Sequence, residues 1–281
     1  MKNIIKHKLR KINKYIFKNN KYEDSVLYSL KKRPQAPYDF LSRYETILKR
    51  IYNWEPLDFK NKNVFELGCG PHLGFGPLAI FLGAKSFVAA DPSSSANIFS
   101  SKLLKENYFL TIFKDLKAIY GTNESFEYFF NNMKEKTFIY TNSKEAKNNH
   151  IDEIDIQITN SCLEHIDNLE NVLIDLKKLL NNNGRYLHGI DFGNHKKTKN
   201  PFEDIYTLSR SEYKIKFGNK INLLTPNEIL SQFESAGFSN PKIMPYYFSK
   251  ENFNGTIHPE WKKRLKKEEI FLKFGLIAGP I

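Results

Sequence analysis

From about residue 60 onward, apolar positions follow two rhythms that alternate along the chain. Val64-Phe65-Glu66-Leu67, Ser86-Phe87-Val88-Ala89-Ala90, Thr137-Phe138-Ile139-Tyr140, Ile154 to Thr159 and Arg185 to Ile190 are short, largely β-branched or aromatic runs of strand length. Between them the spacing becomes helical. A helix is predicted to start near Pro77 and to break at Gly83, and Leu169, Val172, Leu173, Leu176, Leu179 and Leu180 form one apolar stripe stopped by Asn181 to Gly184. Thr225-Pro226-Asn227-Glu228 reads as a capping box with proline in the first helical turn, closed by Gly237, and Phe271 to Ile277 supplies a last strand. Phe126, Tyr128, Phe129 and Phe130 fit either a helix or a strand edge. Strands that alternate with helices predict an α/β fold with a mainly parallel, doubly wound sheet.

The start of the chain has a different character. Ile5, Leu9, Ile12 and Ile16 recur at helical spacing among seven Lys or Arg and no acid in the first 18 residues, and a second helical stripe runs through Phe40, Tyr44, Ile47, Leu48 and Ile51. The division is therefore a basic N-terminal helical extension over residues 1–60 and an α/β domain over residues 61–281. The formal net charge of +12 lies at the ends: residues 1–60 carry 15 basic and 6 acidic side chains, whereas residues 61–255 carry 22 of each. Two readings of residues 1–18 stand side by side, a helix packed on the domain and a helix lying on an anionic membrane surface. No apolar run is long enough to span a bilayer, and two cysteines exclude a disulfide framework and a thiolate metal site. A cytoplasmic location, extending to the inner face of the membrane, is expected, and no metal is expected.

The chemistry concentrates where the first strand ends. Glu66-Leu67-Gly68-Cys69-Gly70 runs into Gly74, so a buried strand breaks into a glycine turn that opens a helix, the place where nucleoside-bearing cofactors sit in doubly wound folds. The third glycine falls one residue later than in a dinucleotide fingerprint, and a carboxylate precedes the first. A carboxylate there repels a pyrophosphate but suits a cofactor with an ammonium group and a sulfonium. Asp91, at the end of the next strand, is placed to accept hydrogen bonds from ribose hydroxyls.

With Asn160-Ser161-Cys162-Leu163-Glu164-His165, its following helix and Gly184, these residues make the chain from about Phe40 onward resemble a class I S-adenosylmethionine (SAM)-dependent methyltransferase. The resemblance implies a Rossmann-like sheet with an N-terminal helical extension, SAM as cofactor and S-adenosylhomocysteine as product. It implies cofactor contacts at Glu66, Gly68, Cys69, Gly70, Gly74, Asp91, Ser143 and Ser161, with Tyr44 reaching over from the preceding helix. A narrower similarity, carried by Gly74-Phe75-Gly76-Pro77, His188-Gly189-Ile190-Asp191, His195 and Asn200-Pro201-Phe202, is to bacterial methyltransferases associated with surface-polysaccharide synthesis.

Methyl transfer to an alcohol gains most from a general base, and His195, then His165, with Asp191 as an orienting or sugar-binding acid, follow the fourth and fifth strands where an acceptor enters. His188, alternating with apolar neighbours, reads as an interior histidine, and His72 as a loop-shaping one. Asn160-Ser161-Cys162-Leu163 lacks the Pro-Pro-aromatic run that holds a base amine, so no specific nucleic-acid partner is expected. The expected acceptor is a small molecule or glycan, foremost a hydroxyl of an activated sugar or phosphorylated intermediate. Two other classes compete with this reading: a nicotinamide-dependent oxidoreductase or epimerase, disfavoured by Glu66, and a non-catalytic scaffold at the membrane.

Overall fold

The structure is a computed structural model that describes residues 21–30, 42, 44–46, 48–50, 53–195, 200–249 and 253–279. The basic stretch 1–18, with both of its readings, lies outside the described residues. Seven strands form one sheet: β1 (Asn63–Leu67), β2 (Ser86–Ala90), β3 (Thr137–Tyr140), β4 (Ile154–Asn160), β5 (Leu180–Asp191), β6 (Lys242–Phe248) and β7 (Leu272–Gly279). Their order is β3-β2-β1-β4-β5-β7-β6, with β1 to β5 parallel and β7 antiparallel to both of its neighbours. The chain thus winds outward from β1 in both directions, and the order reverses at β1, so the carboxyl ends of β1 and β4 flank the crevice where a ligand enters.

The helices used below are α1 (21–30), α2 (Gly76–Phe81), α3 (Leu110–Tyr120), α4 (Phe126–Lys136), α5 (Ser143–Asn149), α6 (Leu169–Leu179), α7 (Arg210–Phe217), α8 (Pro226–Ser235) and α9 (Pro259–Arg264). Side chains of a strand alternate between faces, and β1 shows the result. Val64 joins the core layer that includes Val26 of α1, Leu78 and Ala79 of α2, Ile112 and Leu116 of α3, and Phe129 and Met133 of α4. Phe65 and Leu67 join the opposite layer with Ala146, Leu173, Leu176, Ile229 and Phe233. Both faces of the sheet are covered, as the apolar runs require.

Three segments turn out differently from the sequence reading, or more sharply. Phe126 to Phe130 belong to a helix, begun by the Ser125 hydroxyl accepting from the Tyr128 N–H. Asn181 to Gly184 do not terminate α6: the helix ends at Leu179, and these residues already form the start of β5, slipped by a register shift against β4. Strand β6 was not predicted. It contains Pro245, which cannot donate to a ladder, and it accordingly lies at the edge of the sheet. The capping box holds, with Thr225 and Glu228 exchanging side-chain and backbone hydrogen bonds at the start of α8.

A third apolar cluster, Phe202, Ile205, Tyr206, Tyr213, Ile221, Leu223, Trp261 and Phe271, forms a helical cap over the ends of β4 and β5. Glu228 of α8 pairs with Arg210 of α7 and Arg264 of α9, and the Trp261 indole donates to the Leu208 carbonyl at 2.8 Å. The Glu228 pairs tie the cap to the body, and the Trp261–Leu208 bond closes the cap on itself.

Candidate active site

The glycine turn is built around one buried carboxylate. Glu66 is 3% exposed, and its Oε2 accepts the Phe75 N–H at 2.7 Å, which folds the turn back over the end of β1. Gly74, at φ +40°, passes so close that a Cβ there would lie 2.2 to 2.5 Å from the carboxylate atoms. Gly68, at φ +80°, packs against the next turn, and its Cβ would meet Cys162 Sγ at 2.5 Å. Asp91 holds the middle of the turn: its Oδ2 accepts from the Gly70 N–H at 3.0 Å, while Oδ1 accepts from the Ser93 N–H at 2.7 Å. Glu66, Gly68, Cys69, Gly70 and Gly74, nearly consecutive in the chain, are thus joined to Asp91 at the carboxyl ends of β1 and β2. Tyr22 of α1 lies over it and donates to the carbonyls of Pro71 at 3.0 Å and Ser95 at 3.3 Å.

Burial dominates the electrostatics of this turn. It raises the Glu66 carboxyl to about 8, the nearby Asp91 charge adds to the rise, and the Phe75 N–H opposes it. An acid whose pKa is higher in the folded state than its ordinary 4.5 holds its proton there while the unfolded chain releases it. Stability therefore declines as pH climbs from about 4.5 to about 8. Glu66→Gln keeps an acceptor for Phe75 and removes the titration. The variant is expected to show a flatter melting temperature between pH 5 and pH 9 than the parent, checked by differential scanning fluorimetry; parallel curves would refute the assignment.

His72 and His188 behave as the sequence suggests. Burial lowers both, His188 to about 3, and His188 shares a 3.1 Å hydrogen bond between Nδ1 and the Thr159 hydroxyl while stacking on Tyr186. The His72 ring lies where a Cβ on Gly70 would stand, 2.9 Å from its nearest atom.

The second half of the site follows β4 and β5. Their parallel pairing sets Thr159 beside His188 and Asn160 beside Gly189, which brings the two following loops together. Ser161 takes φ +50° and donates its N–H to the Gly189 carbonyl at 2.9 Å. Beyond it, the His165 ring donates from Nδ1 to the Lys220 carbonyl at 2.6 Å and meets the His195 ring edge to face, with centroids 4.7 Å apart. His195, also at positive φ (+54°), points Nε2 at Glu164 Oε1 at 3.5 Å and at Asp191 Oδ2 at 3.9 Å. Asp191 is paired with Lys273 and accepts the Gly193 N–H at 2.8 Å.

Desolvation lowers the His195 pKa, with His165 and Lys273 acting in the same direction and Asp191 against it, so the ring is neutral at pH 7. Burial pushes the Glu164 carboxyl up to about 8. His195, His165 and Asp191 are thus brought together as the sequence suggested, while Glu164, Lys273 and Asn222 complete the cluster without having been singled out. Asn222 donates to the carbonyls of Leu163 at 2.9 Å and Ile166 at 3.1 Å, fastening the cap to the turn that carries Glu164.

Two other expected positions lie at the rim. Ser143 opens α5 after β3, and β3 is joined to Asp91 by the Asp91 N–H donating to the Tyr140 carbonyl at 3.1 Å. The Tyr44 hydroxyl donates to Asn160 Oδ1 at 2.6 Å, and its ring packs on Tyr246 and Phe274. Tyr44 is 3% exposed and so enters the site through Asn160.

No known family profile and no curated protein sequence matches the chain. Among solved structures it is similar to an arsenic (III) S-adenosylmethionine methyltransferase from Chlamydomonas reinhardtii, at 13% identity over 79% of this chain and 64% of that one, TM-score 0.47. It is also similar to an S-adenosylmethionine-dependent methyltransferase from Mesorhizobium loti, at 12% identity over 79% of this chain and 92% of that one, TM-score 0.44. A third is phosphoethanolamine N-methyltransferase 2 from Haemonchus contortus in complex with S-adenosyl-L-methionine, at 14% identity over 90% of this chain and 59% of that one, TM-score 0.47. The chain thus spans less than two thirds of the length of the first and third. The sheet of the described residues is itself seven-stranded and mostly parallel.

Proposed function

We propose that the chain is a SAM-dependent methyltransferase acting on a hydroxyl of a small or glycan acceptor. The observation that carries this reading is the turn braced by Glu66, in which Gly68, Gly70 and Gly74 take positive φ and pack against Cys162, His72 and Glu66, with Asp91 at the end of β2. The residues fit the group. The buried Glu66 carboxyl holds the turn in shape beneath the methionine portion, and Asp91 faces the ribose position. Tyr22 and Ser143 border the same crevice.

When bound, SAM supplies a methyl group on a good leaving group. The protein's own task is to align the acceptor, exclude water and receive a proton. Cys162 packs on Gly68, which sets the loop after β4, and with it His165 and His195, beside the cofactor crevice. The His195 imidazole, whose pKa burial lowers, accepts the hydroxyl proton. Asp191 and Lys273, as a near-neutral pair, offer one acceptor and one donor to neighbouring hydroxyls.

For the acceptor, an activated sugar or phosphorylated intermediate of surface-polysaccharide synthesis is supported by the similarity in His188 to Asp191, His195 and Asn200 to Phe202, and by the basic ends of the chain. The same basic residues 1–18 support peripheral contact with an anionic membrane from the cytoplasmic side. Among the described residues no helix is long and apolar enough to cross a membrane.

The test is a thermal-shift comparison of SAM, S-adenosylhomocysteine and NAD. At a hundredfold excess over Kd, SAM and S-adenosylhomocysteine are expected to stabilise the protein by about 2.7 kcal/mol, and NAD is expected to have no effect. Stabilisation by NAD alone would overturn the reading in favour of a dehydrogenase or epimerase. Tight SAM binding with no transfer of labelled methyl to any activated-sugar or phosphorylated acceptor would favour the scaffold.

A further inference from the structure

Glu164, His165 and His195 each present one ligand atom, and the three atoms lie within 4.8 Å of one another. Each is aimed by a separate contact. The His165 Nδ1–H is committed to the Lys220 carbonyl at 2.6 Å, which fixes the tautomer and leaves the Nε2 lone pair of an exposed ring free to bind. His195 turns Nε2 toward Glu164, 3.5 Å away. Glu164 is 3% exposed; its Oε1 accepts the Asp191 N–H at 3.3 Å, but its Oε2 is buried with no hydrogen-bond partner among the described residues. A buried, unpartnered carboxylate oxygen is costly, and a cation at the imidazole lone pairs would remove that cost.

We propose that Glu164, His165 and His195 form a three-ligand site for a divalent transition-metal ion, open on the side that faces the acceptor. Two imidazoles and one carboxylate favour a borderline metal such as zinc, iron(II) or cobalt over magnesium or calcium, which take oxygen ligands. Metal–ligand bonds of about 2.1 Å bring neighbouring ligand atoms to roughly 3–4 Å, a closure that two partly exposed rings reach by small rotations. Asp191 stays outside the set because Lys273 and the Gly193 N–H already engage it. Asn222 supports the site from behind: its side chain holds the turn through Leu163 and Ile166, and its N–H donates to the Glu164 carbonyl at 2.7 Å.

Binding of the ion is independent of the cofactor reading. Its use, holding and acidifying an acceptor oxygen in place of proton removal by the free rings, rests on that reading. The full chain, stripped with a chelator and dialysed, is titrated with cobalt(II) in the visible range and then with zinc as competitor. One equivalent of cobalt with ligand-field bands is expected, displaced by zinc. His165→Ala and His195→Ala each lose the bands, and Glu164→Gln weakens binding at least tenfold. Both histidine positions are at the surface, so these variants serve even where Glu164→Gln fails to fold. Absence of saturable cobalt binding up to millimolar, or binding unchanged in both histidine variants, would overturn the site. SAM binding by the same stripped sample would then leave the methyltransferase reading standing.

Discussion

Gly74→Ala is expected to abolish SAM binding and to lower the melting temperature by roughly 6–12 °C, the equivalent of about 3 kcal/mol in a chain of this size. The new methyl group would sit 2.2 to 2.5 Å from three atoms of the Glu66 carboxyl group, and the position has φ +40°. Glu66 cannot move aside cheaply, because it is buried and holds the Phe75 N–H. Relief must come from opening the turn, and an open turn no longer presents its backbone to a ligand. Gly218→Ala is the matching control: it carries φ +77° but a Cβ there meets nothing within 4 Å. With ψ 179° the position is one that glycine almost alone adopts, so the change is expected to cost about 1–3 kcal/mol and to leave binding intact. Calorimetric titration with SAM and thermal melts of both variants decide the matter, and Gly74→Ala binding SAM like the parent would refute the turn as the site.

His195→Ala is expected to lower kcat by about 10² to 10⁴ while the Kd for SAM changes less than twofold. The ring packs against His165, Glu164 and Asp191, which in the proposed function is the acceptor side. The parent is also expected to lose activity as pH falls below the lowered His195 pKa, since a protonated ring neither takes a proton nor binds a cation. The variant's residual rate should lack that acidic limb. Transfer at the parental rate in His195→Ala would remove the residue from the chemistry. The parallel change at His165 tests the second lone pair of the cluster.

The two halves of the site differ in how far the sequence reveals them, for a physical reason. Glu66 through Gly74 are nearly consecutive, and each glycine answers to something local: a positive φ, or a neighbour where a side chain would stand. The turn is therefore legible as a string. The cluster after β4 and β5 depends on pairing between strands distant in sequence. The positions of His165, Asp191 and His195 at adjacent strand ends made them visible candidates, but Glu164 takes its character from burial under the segment bearing Asn222 and from Lys273 on the reversed strand β7. No local spacing carries that information. Strand β5 shows the same limit: Asn181 to Gly184 have the composition of a helix stop, yet they lie in a bulge of the strand between Leu180 and Arg185, which pair with Ile154 and Ile156 of β4. Pro245 in β6 hides an edge strand from a reading that expects ladder donors.

The cap over β4 and β5 keeps its own apolar nucleus, separate from the two layers that sandwich the sheet. Polar links join it to the body, Glu228 with Arg210 and Arg264, and Asn222 with the turn below, and Phe192 packs against both nuclei. On the proposed function, substitutions inside that nucleus reshape the acceptor's entrance while the layers supporting the glycine turn keep their packing. Exchange of the cap's interior residues is then a route to new acceptors that leaves the cofactor half of the molecule as it is.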